Sequence, residues 1–322
     1  MNSKVVVTDY AFPDLSIEQG VLAGCELTGR QCKTEADLLE LCQDADAVIT
    51  QFAWVNANVI AGMARARAIV RYGIGVDNVD LEAARARGIP VCNVPDYCID
   101  EVADHTLAFI LALTRQVVTH TEHLRPGKWS LVGPLTNMSA LAQLTVGVVG
   151  FGRIGREVVR RLASFKCPIR VFDPFVPAEE LLKLGVQPAS LDELLQASDV
   201  LTLHCPSTPQ TRKLINHDSL AKMRRGALLI NVGRGNLVDV PALTAALQSG
   251  QLGGAALDVF DPEPIPADHP VLKMPNVLLT PHIASASPTA VLKLRTAAAD
   301  LALRAVRGQP LPNIVNGATG RS

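Results

Sequence analysis

Three side chains of the kinds that handle protons and carboxylates, Arg234, Glu263 and His282, each follow a short apolar run in the second half of the chain. Histidine is the usual proton carrier near neutral pH, a neighbouring carboxylate favours its imidazolium form, and a guanidinium offers a planar fork to a carboxylate. Such a trio suits proton transfer in step with hydride transfer between a hydroxyl and a carbonyl. A hydride needs a carrier, and Gly150-Phe151-Gly152-Arg153-Ile154-Gly155 supplies a place for one. This glycine pattern follows the β-branched run Thr145-Val146-Gly147-Val148-Val149 and opens an apolar stripe at Ile154, Val158, Val159 and Leu162, so it reads as strand, turn and helix. In that setting the first glycine makes a tight turn, the second lets backbone approach a pyrophosphate, and the third lets helix pack on strand. Free N–H groups at the helix start then face the phosphates. Asp173 closes the next run, Ile169 to Phe172, 23 residues after Gly150 and near the spacing at which a carboxylate accepts hydrogen bonds from an adenosine ribose. With Pro174 and Phe175 behind it rather than arginine, a 2′-phosphate is repelled, and the cofactor expected is NAD.

The elements that must position these groups alternate along the chain. Strands are expected at Lys4–Thr8, 47–50, 68–71 and 90–93, with helices at 35–42, 58–65 and 81–87 between them. The turn Phe12-Pro13-Asp14-Leu15-Ser16 enters a further helix. From Asp100 the sequence is apolar almost all round, which predicts one long buried helix to about His120, placed between domains. Residues 121–144 read as loop. Beyond the glycine unit, a capping box at Ser190 and Glu193 starts a helix, and strands are expected at 200–203, 227–231, 255–259 and 277–280. Helices run over 218–223, from Asp239 and Pro241 to Gly250, and from Pro288 to Val306. Strands alternating with helices predict an α/β fold with two doubly wound parallel sheets. The simplest division is discontinuous, with residues 1–97 and 288–322 forming one domain and 98–287 inserted as the other.

In a parallel sheet, the exits that carry Arg234, Asp258 with Glu263, and His282 share one edge with the glycine turn, where ligands of such sheets gather. The loop Tyr72-Gly73-Ile74-Gly75 ends a strand of the first domain in the same manner.

Whole-chain properties bound the alternatives. Thirty basic against 31 acidic residues give no electrostatic case for nucleic acid or an anionic membrane. The start MNSKVVVTDY lacks the features of a signal peptide, and the apolar run 107–113 is too short to span a bilayer. Seven scattered cysteines without a CxxC argue against disulfides and a zinc site, so no metal is expected and the compartment is reducing, hence cytoplasmic. The expected partners are small molecules and copies of the chain. Leu124, Trp129, Leu131, Val132 and Leu135 lie among prolines and glycines in 120–144, and they predict a homodimer contact.

Beyond the glycine turn, the chain carries Leu203-His204-Cys205-Pro206, Asn231-Val232-Gly233-Arg234-Gly235, Ala256-Leu257-Asp258-Val259-Phe260 through Glu263-Pro264, and Thr280-Pro281-His282. In this order, and over nearly the whole chain, these motifs resemble the D-isomer-specific 2-hydroxyacid dehydrogenase family. That family includes phosphoglycerate dehydrogenase, glycerate and hydroxypyruvate reductases, formate dehydrogenase and the C-terminal-binding corepressors. The resemblance implies a Rossmann-type NAD domain inserted into a flavodoxin-like substrate domain, dimerising through the former. It implies that Arg234 holds the substrate carboxylate and carbonyl, that His282 is the general acid/base, and that Glu263 tunes it. It further implies that the Ile74 and Gly75 backbone meets the substrate, and that Gly150, Gly152, Arg153, Ile154, Gly155, Asp173, Pro174, His204, Cys205, Pro206, Thr211, Val232, Gly233, Arg234, Asp258, His282 and Ala284 line the cofactor, with Asp258 on the nicotinamide carboxamide. Where phosphoglycerate dehydrogenases place an arginine, this chain has Gln51-Phe52-Ala53, which argues against a phosphorylated substrate. Regulatory tail domains are not expected after Asn316. The function expected is reduction of a small 2-keto acid to the D-2-hydroxy acid. The alternative is a corepressor-like or redox-sensing NAD-binding module with little turnover.

Overall fold

The computed structural model describes residues 3–135 and 138–320. The chain divides into two compact units, Met1–Tyr97 with Ser287–Ser322, and Cys98–Ala286. Ser287 belongs with the first unit because its side chain accepts a hydrogen bond from the Ala290 N–H and so caps the last helix.

The first unit is a five-stranded parallel sheet in the order β2-β1-β3-β4-β5: β1 Lys4–Val7, β2 Glu26–Gly29, β3 Ala47–Thr50, β4 Ile69–Arg71 and β5 Val91–Cys92. Its central strands are apolar throughout because both faces are covered. Val5, Val7, Ala47 and Ile49 point into one core, completed by the final helix α12 (Pro288–Val306); Val6, Val48 and Ile69 point into the other, with Leu38, Val59 and Ala84. Those three residues come from α2 (Glu35–Cys42), α3 (Ala57–Gly62) and α4 (Leu81–Ala86), and α1 (Ser16–Val21) packs on α12. β2 is missing from the expected strands. As an edge strand it is half-buried to exposed and carries no apolar run to announce it.

The second unit is a seven-stranded parallel sheet, β12-β11-β10-β9-β6-β7-β8. The chain winds outward from β6 (Val146–Val149) through β7 (Ile169–Phe172) to β8 (Gln187–Pro188), then crosses β6 to β9 (Val200–Leu203), β10 (Ala227–Asn231), β11 (Leu252–Leu257) and β12 (Val277–Leu279). The reversal of order lies between β6 and β9. The helices after the glycine turn are α7 (Arg153–Ala163), α8 (Ala178–Lys183), α9 (Leu191–Ala197), α10 (His217–Lys222) and α11 (Val240–Gln248). β8 and α8 are short and escape sequence reading. β11 starts three residues before its expected first residue, Ala255, because Gly253 and Gly254 are strand rather than loop. A Cβ on Gly253 would lie 2.5 Å from the Gly226 carbonyl oxygen and one on Gly254 2.8 Å from that of Asn276, so close backbone approach requires glycine there.

Two expectations about residues 99–144 are corrected. The helix from Asp100 does not run to His120. α5 (Ile99–Thr114) stops, Gln116 takes a left-handed conformation (φ 50°), and α6 (Val117–Leu124) starts afresh and occupies residues expected to be loop. Neither is α5 buried all round. Val102, Ala103, Thr106, Leu107, Phe109 and Ile110 are buried against its neighbours α7, β10 and β11, while Asp100, Asp104 and Ala108 form an exposed stripe. The two aspartates bind the Arg161 guanidinium, each at 2.7 Å. Residues 136–137 of the remaining excursion lie outside the described residues.

Candidate active site

The carboxyl ends of β6, β7, β9, β10, β11 and β12 share one edge of the second unit, and the candidate site residues of this unit singled out above are carried there or just beyond. The glycine turn leaves β6. Gly150 has φ 92°, and a Cβ there would lie 2.6 Å from the Cys205 amide nitrogen, so the crossing point between β6 and β9 closes only on glycine. Gly155 is equally constrained, since its Cβ would meet the Gly150 carbonyl oxygen at 2.2 Å. Gly152 differs: a Cβ there meets nothing within 4 Å. It is the N-cap of α7, and no side chain caps that helix, so the first-turn amides of Arg153 and Ile154 face an open cradle. A pyrophosphate fits this arrangement, accepting from the amides at the positive end of the helix.

Asp173 lies at the exit of β7. Its carboxylate accepts from the Phe151 N–H at 2.7 Å and the Phe175 N–H at 2.9 Å, tying the glycine turn to the segment that follows β7. Pro174 follows it, and Phe175 is almost fully exposed. After β9, His204 sets its Nε2 2.9 Å from the Thr202 hydroxyl, and desolvation pushes its imidazole down to about 3, so it is neutral. Burial pushes the neighbouring Cys205 thiol up to about 11, which leaves it protonated and unreactive. Thr211 donates to the Pro206 carbonyl at 2.7 Å and accepts from the Thr208 amide at 2.8 Å, fixing the loop between them.

Arg234 leaves β10 two residues beyond the buried Val232. The Asn231 side chain holds this turn at both ends, donating to the Arg234 carbonyl (2.8 Å) and accepting from the Gly233 amide (3.1 Å), while the Arg234 guanidinium donates to the Gly233 carbonyl. Gly235 is required because Phe260 backbone lies where its Cβ would be. The segment from Phe260 brings Glu263 to His282. His282 Nδ1 lies 2.8 Å from Glu263 Oε2, and Glu263 Oε1 accepts from the Phe260 amide at 2.8 Å. Burial pushes the Glu263 carboxyl up, but the His282 hydrogen bond and charge, the Phe260 amide and the Arg234 charge outweigh it and hold the group below the ordinary carboxylate range. The carboxylate is therefore ionised at neutral pH and fixes the tautomer that carries a proton on Nδ1. Both side chains keep about a third of their surface, 32% each, so the pair is open on one side.

Asp258 is buried, with its carboxylate accepting from the Thr280 hydroxyl, the Ile283 amide (2.8 Å) and the Ala284 amide (2.9 Å). It builds the loop that carries His282. Sequence reading missed Thr280 as a hydrogen-bonding group, and missed His105 of α5, whose Nε2 sits 3.1 Å from the Thr280 hydroxyl. The available signal was a histidine at a position where α5 otherwise turns inward. In the first unit, the Ile74 carbonyl accepts from the Asn93 side chain at 2.6 Å, and Ile74 and Gly75 are half-buried in the loop after β4. No cluster of metal-ligating side chains occurs among the described residues.

Residues 107–284 match the NAD-binding domain of the D-isomer specific 2-hydroxyacid dehydrogenases. A D-3-phosphoglycerate dehydrogenase of Methanocaldococcus jannaschii is 38% identical over 285 residues, 88% of this chain and 54% of that protein. A glyoxylate reductase of Korarchaeum cryptofilum is 37% identical over 282 residues, covering 87% of this chain and 85% of the relative. The chain thus spans about half the length of the first relative and most of the second. Among solved structures, a D-lactate dehydrogenase of Aquifex aeolicus complexed with NAD and lactic acid superposes with a TM-score of 0.87 at 28% identity, over 95% of this chain and 96% of that one. An NADPH-dependent glyoxylate/hydroxypyruvate reductase of Sinorhizobium meliloti, in complex with NADP and malonate, gives 0.87 at 30% identity over 100% and 99%. The glycine turn between β6 and α7 and these similarities over almost the whole sequence place the chain in the D-isomer-specific 2-hydroxyacid dehydrogenase family, with NAD as its cofactor.

Proposed function

We propose that the chain interconverts a small, unphosphorylated 2-keto acid and the corresponding D-2-hydroxy acid. The observation that carries this reading is the His282–Glu263 pair at 2.8 Å, open on one side and set on the same sheet edge as the glycine cradle and Arg234. Bound NADH supplies the hydride. His282, with Nδ1 committed to Glu263, presents Nε2 to the substrate oxygen and delivers its proton as the carbonyl is reduced. Glu263 stabilises the imidazolium from which that proton leaves, and takes no proton itself near neutral pH. Arg234 supplies the cation that holds the substrate carboxylate and polarises the carbonyl. In the oxidising direction His282 accepts the hydroxyl proton.

The cofactor lining proposed is the glycine cradle with Arg153 and Ile154, then Asp173 and Pro174, His204 to Pro206, Thr211, Val232, Gly233, Asp258 and Ala284. NAD is preferred over NADP because Asp173 stands where a 2′-phosphate would need a cation. The loop after β3 exposes Phe52 and Trp54, which disfavours a phosphorylated substrate. The names carried by the relatives favour turnover over a binding role. A panel of 2-keto acids followed by NADH absorbance tests the reading: consumption with glyoxylate, hydroxypyruvate or a larger keto acid is expected. Tight NADH binding with no consumption across the panel overturns it.

A homodimer through the second unit is part of the same proposal. Trp129 is 90% exposed, and Leu131 and Leu135 are exposed with it, an apolar surface of the kind that marks a contact. Light scattering is expected to give twice the 34.3 kDa of one chain; a single-chain mass that persists on concentrating removes the dimer. All seven cysteines are free, which supports the cytoplasmic assignment. Among the described residues no helix is long and apolar enough to cross a membrane.

A further inference from the structure

His282 holds a backbone conformation that few residues other than glycine adopt, with φ 54°. Its amide donates to the Asp258 carbonyl at 2.8 Å, and the next two amides, those of Ile283 and Ala284, donate to the Asp258 carboxylate. A left-handed residue persists only where its surroundings fix it, and here Asp258 contributes both its carbonyl and its buried carboxylate. What orients that side chain follows from proton counting. Asp258 as a carboxylate accepts only, so the single proton of the Thr280 hydroxyl is spent on Asp258 Oδ1. The Thr280 oxygen is then an acceptor toward His105 Nε2, 3.1 Å away, which must carry its proton on that nitrogen. The His105 ring is held in turn by an edge-on contact with Phe109, one helical turn along α5, with ring centres 4.4 Å apart. His105 Nε2 is also 3.9 Å from Asp258 Oδ1. The donors therefore all point one way, from His105 to Thr280 to Asp258, and end on the loop that aims His282.

We propose that His105 and Thr280 are positioning residues for the reaction: acting through Asp258, they hold the left-handed turn that directs His282 Nε2 at the substrate. The proposal rests on the reading of His282 as the proton donor. Neither residue touches the reacting atoms, and both lie inside the second unit, so their effect is on geometry and not on charge delivered to the substrate. Without the Thr280 hydroxyl, Asp258 Oδ1 loses one of its two donors, and the carboxylate is held by the Ile283 and Ala284 amides alone, a looser clamp on the turn. His282 then samples other backbone conformations. A productive angle held for a smaller fraction of the time lowers kcat while ground-state affinity stays.

Four variants measured in parallel test this in the full chain: His282→Ala, Thr280→Val, Thr280→Ser and His105→Leu. Thr280→Val, which keeps the shape and removes the donor, is expected to lower kcat about 10- to 100-fold, with keto-acid KM and the NADH Kd from fluorescence titration within about threefold. Thr280→Ser is expected to recover most of the loss, and His105→Leu to lower kcat about three- to tenfold. A readout independent of turnover is the downfield imidazole proton between His282 and Glu263 in the NMR spectrum, expected to broaden in Thr280→Val and return in Thr280→Ser. Full kcat in Thr280→Val overturns the proposal, as does a fall in kcat matched by an equal loss of NADH affinity, which would mean a collapsed site. If Thr280→Val fails to fold, His105→Leu decides alone, and full kcat there overturns it. Retained turnover in His282→Ala strikes at the underlying reading instead.

Discussion

The two units answer the same topological question in opposite ways. Each sheet reverses its strand order beside its first strand, between β1 and β3 in one and between β6 and β9 in the other, and this is where open α/β sheets leave a crevice. In the second unit the turn after the first strand is Gly150-Phe151-Gly152, which fills the crossing with no side chain and leaves the first amides of α7 uncapped. In the first unit the equivalent turn carries Asp9, which is buried. Its carboxylate accepts from the Gln51 amide at 3.1 Å, the Phe52 amide at 2.6 Å and the Thr8 hydroxyl at 2.8 Å. Loop amides that would otherwise seek an anion at this crossing find one in the chain itself. The lesson is that a switch point binds a ligand only if the sequence leaves it unfilled; the fold alone does not decide.

Substitutions at the two edges sharpen this contrast. The largest effect is expected in the second unit: His282→Ala lowers kcat by about 10²–10⁴, the usual worth of a general acid, with NADH affinity nearly unchanged. Near-normal steady-state turnover would make the second edge as structural as the first. Next is Asp9→Ala, which leaves the part-buried Gln51 and Phe52 amides without their acceptor and is expected to destabilise the first unit by on the order of 1 kcal/mol in urea unfolding. Cofactor affinity should not respond, and a parallel loss of NADH binding would contradict the assignment of separate tasks. Gly152→Ala is the converse experiment. Its Cβ meets nothing in the protein, so the unfolding midpoint should hold, whereas the filled cradle raises the NADH Kd by roughly 10- to 100-fold, about 1.4–2.8 kcal/mol. Unchanged affinity would show that phosphate does not lie there.

The smallest effect expected is on acid stability. Glu263 has a folded-state pKa below its unfolded value of about 4.3, so its contribution is present above that pH and is lost as pH falls through the lower, folded value. Acid unfolding of Glu263→Gln should lack this segment of the pH dependence. Identical acid transitions in the two proteins would mean that the His282 contact is too solvated to matter.

Much of the second unit was readable because its chemistry is local. Gly150 to Gly155, Asn231 to Gly235 and Thr280 to His282 each pack a strand exit and its functional residue into a few positions. The elements that escaped are those without a local signal. β2 buries no continuous face, and α5 ends at a left-handed Gln116 rather than at glycine or proline. Side-chain networks escaped for another reason. His105 and Thr280 are 175 positions apart, and the buried Arg295 is 277 positions from Glu18, which it binds at 2.6 Å while Tyr72 donates to the same carboxylate at 2.9 Å. No spacing rule connects residues that only the finished fold brings together.

The discontinuity of the first unit sets an order of events during synthesis. Leu294, Ala298, Ala299, Leu301, Ala302 and Val306 of α12 complete one of its two cores, and the tail closes β5, with Ile314 bridging Cys92 and Asn316 accepting from the Val91 amide at 3.1 Å. A ribosome making about 5–20 residues per second needs roughly 10–40 s to produce residues 98–286, which intervene. Throughout that interval the sheet face under α12 stands bare, while the second unit is contiguous and free to close as soon as it emerges. Nascent chains arrested before Pro288 should accordingly bind NADH while residues 1–97 remain open to protease; protection of that segment would refute the order. The amino-terminal residues thus wait on α12 for one of their two cores.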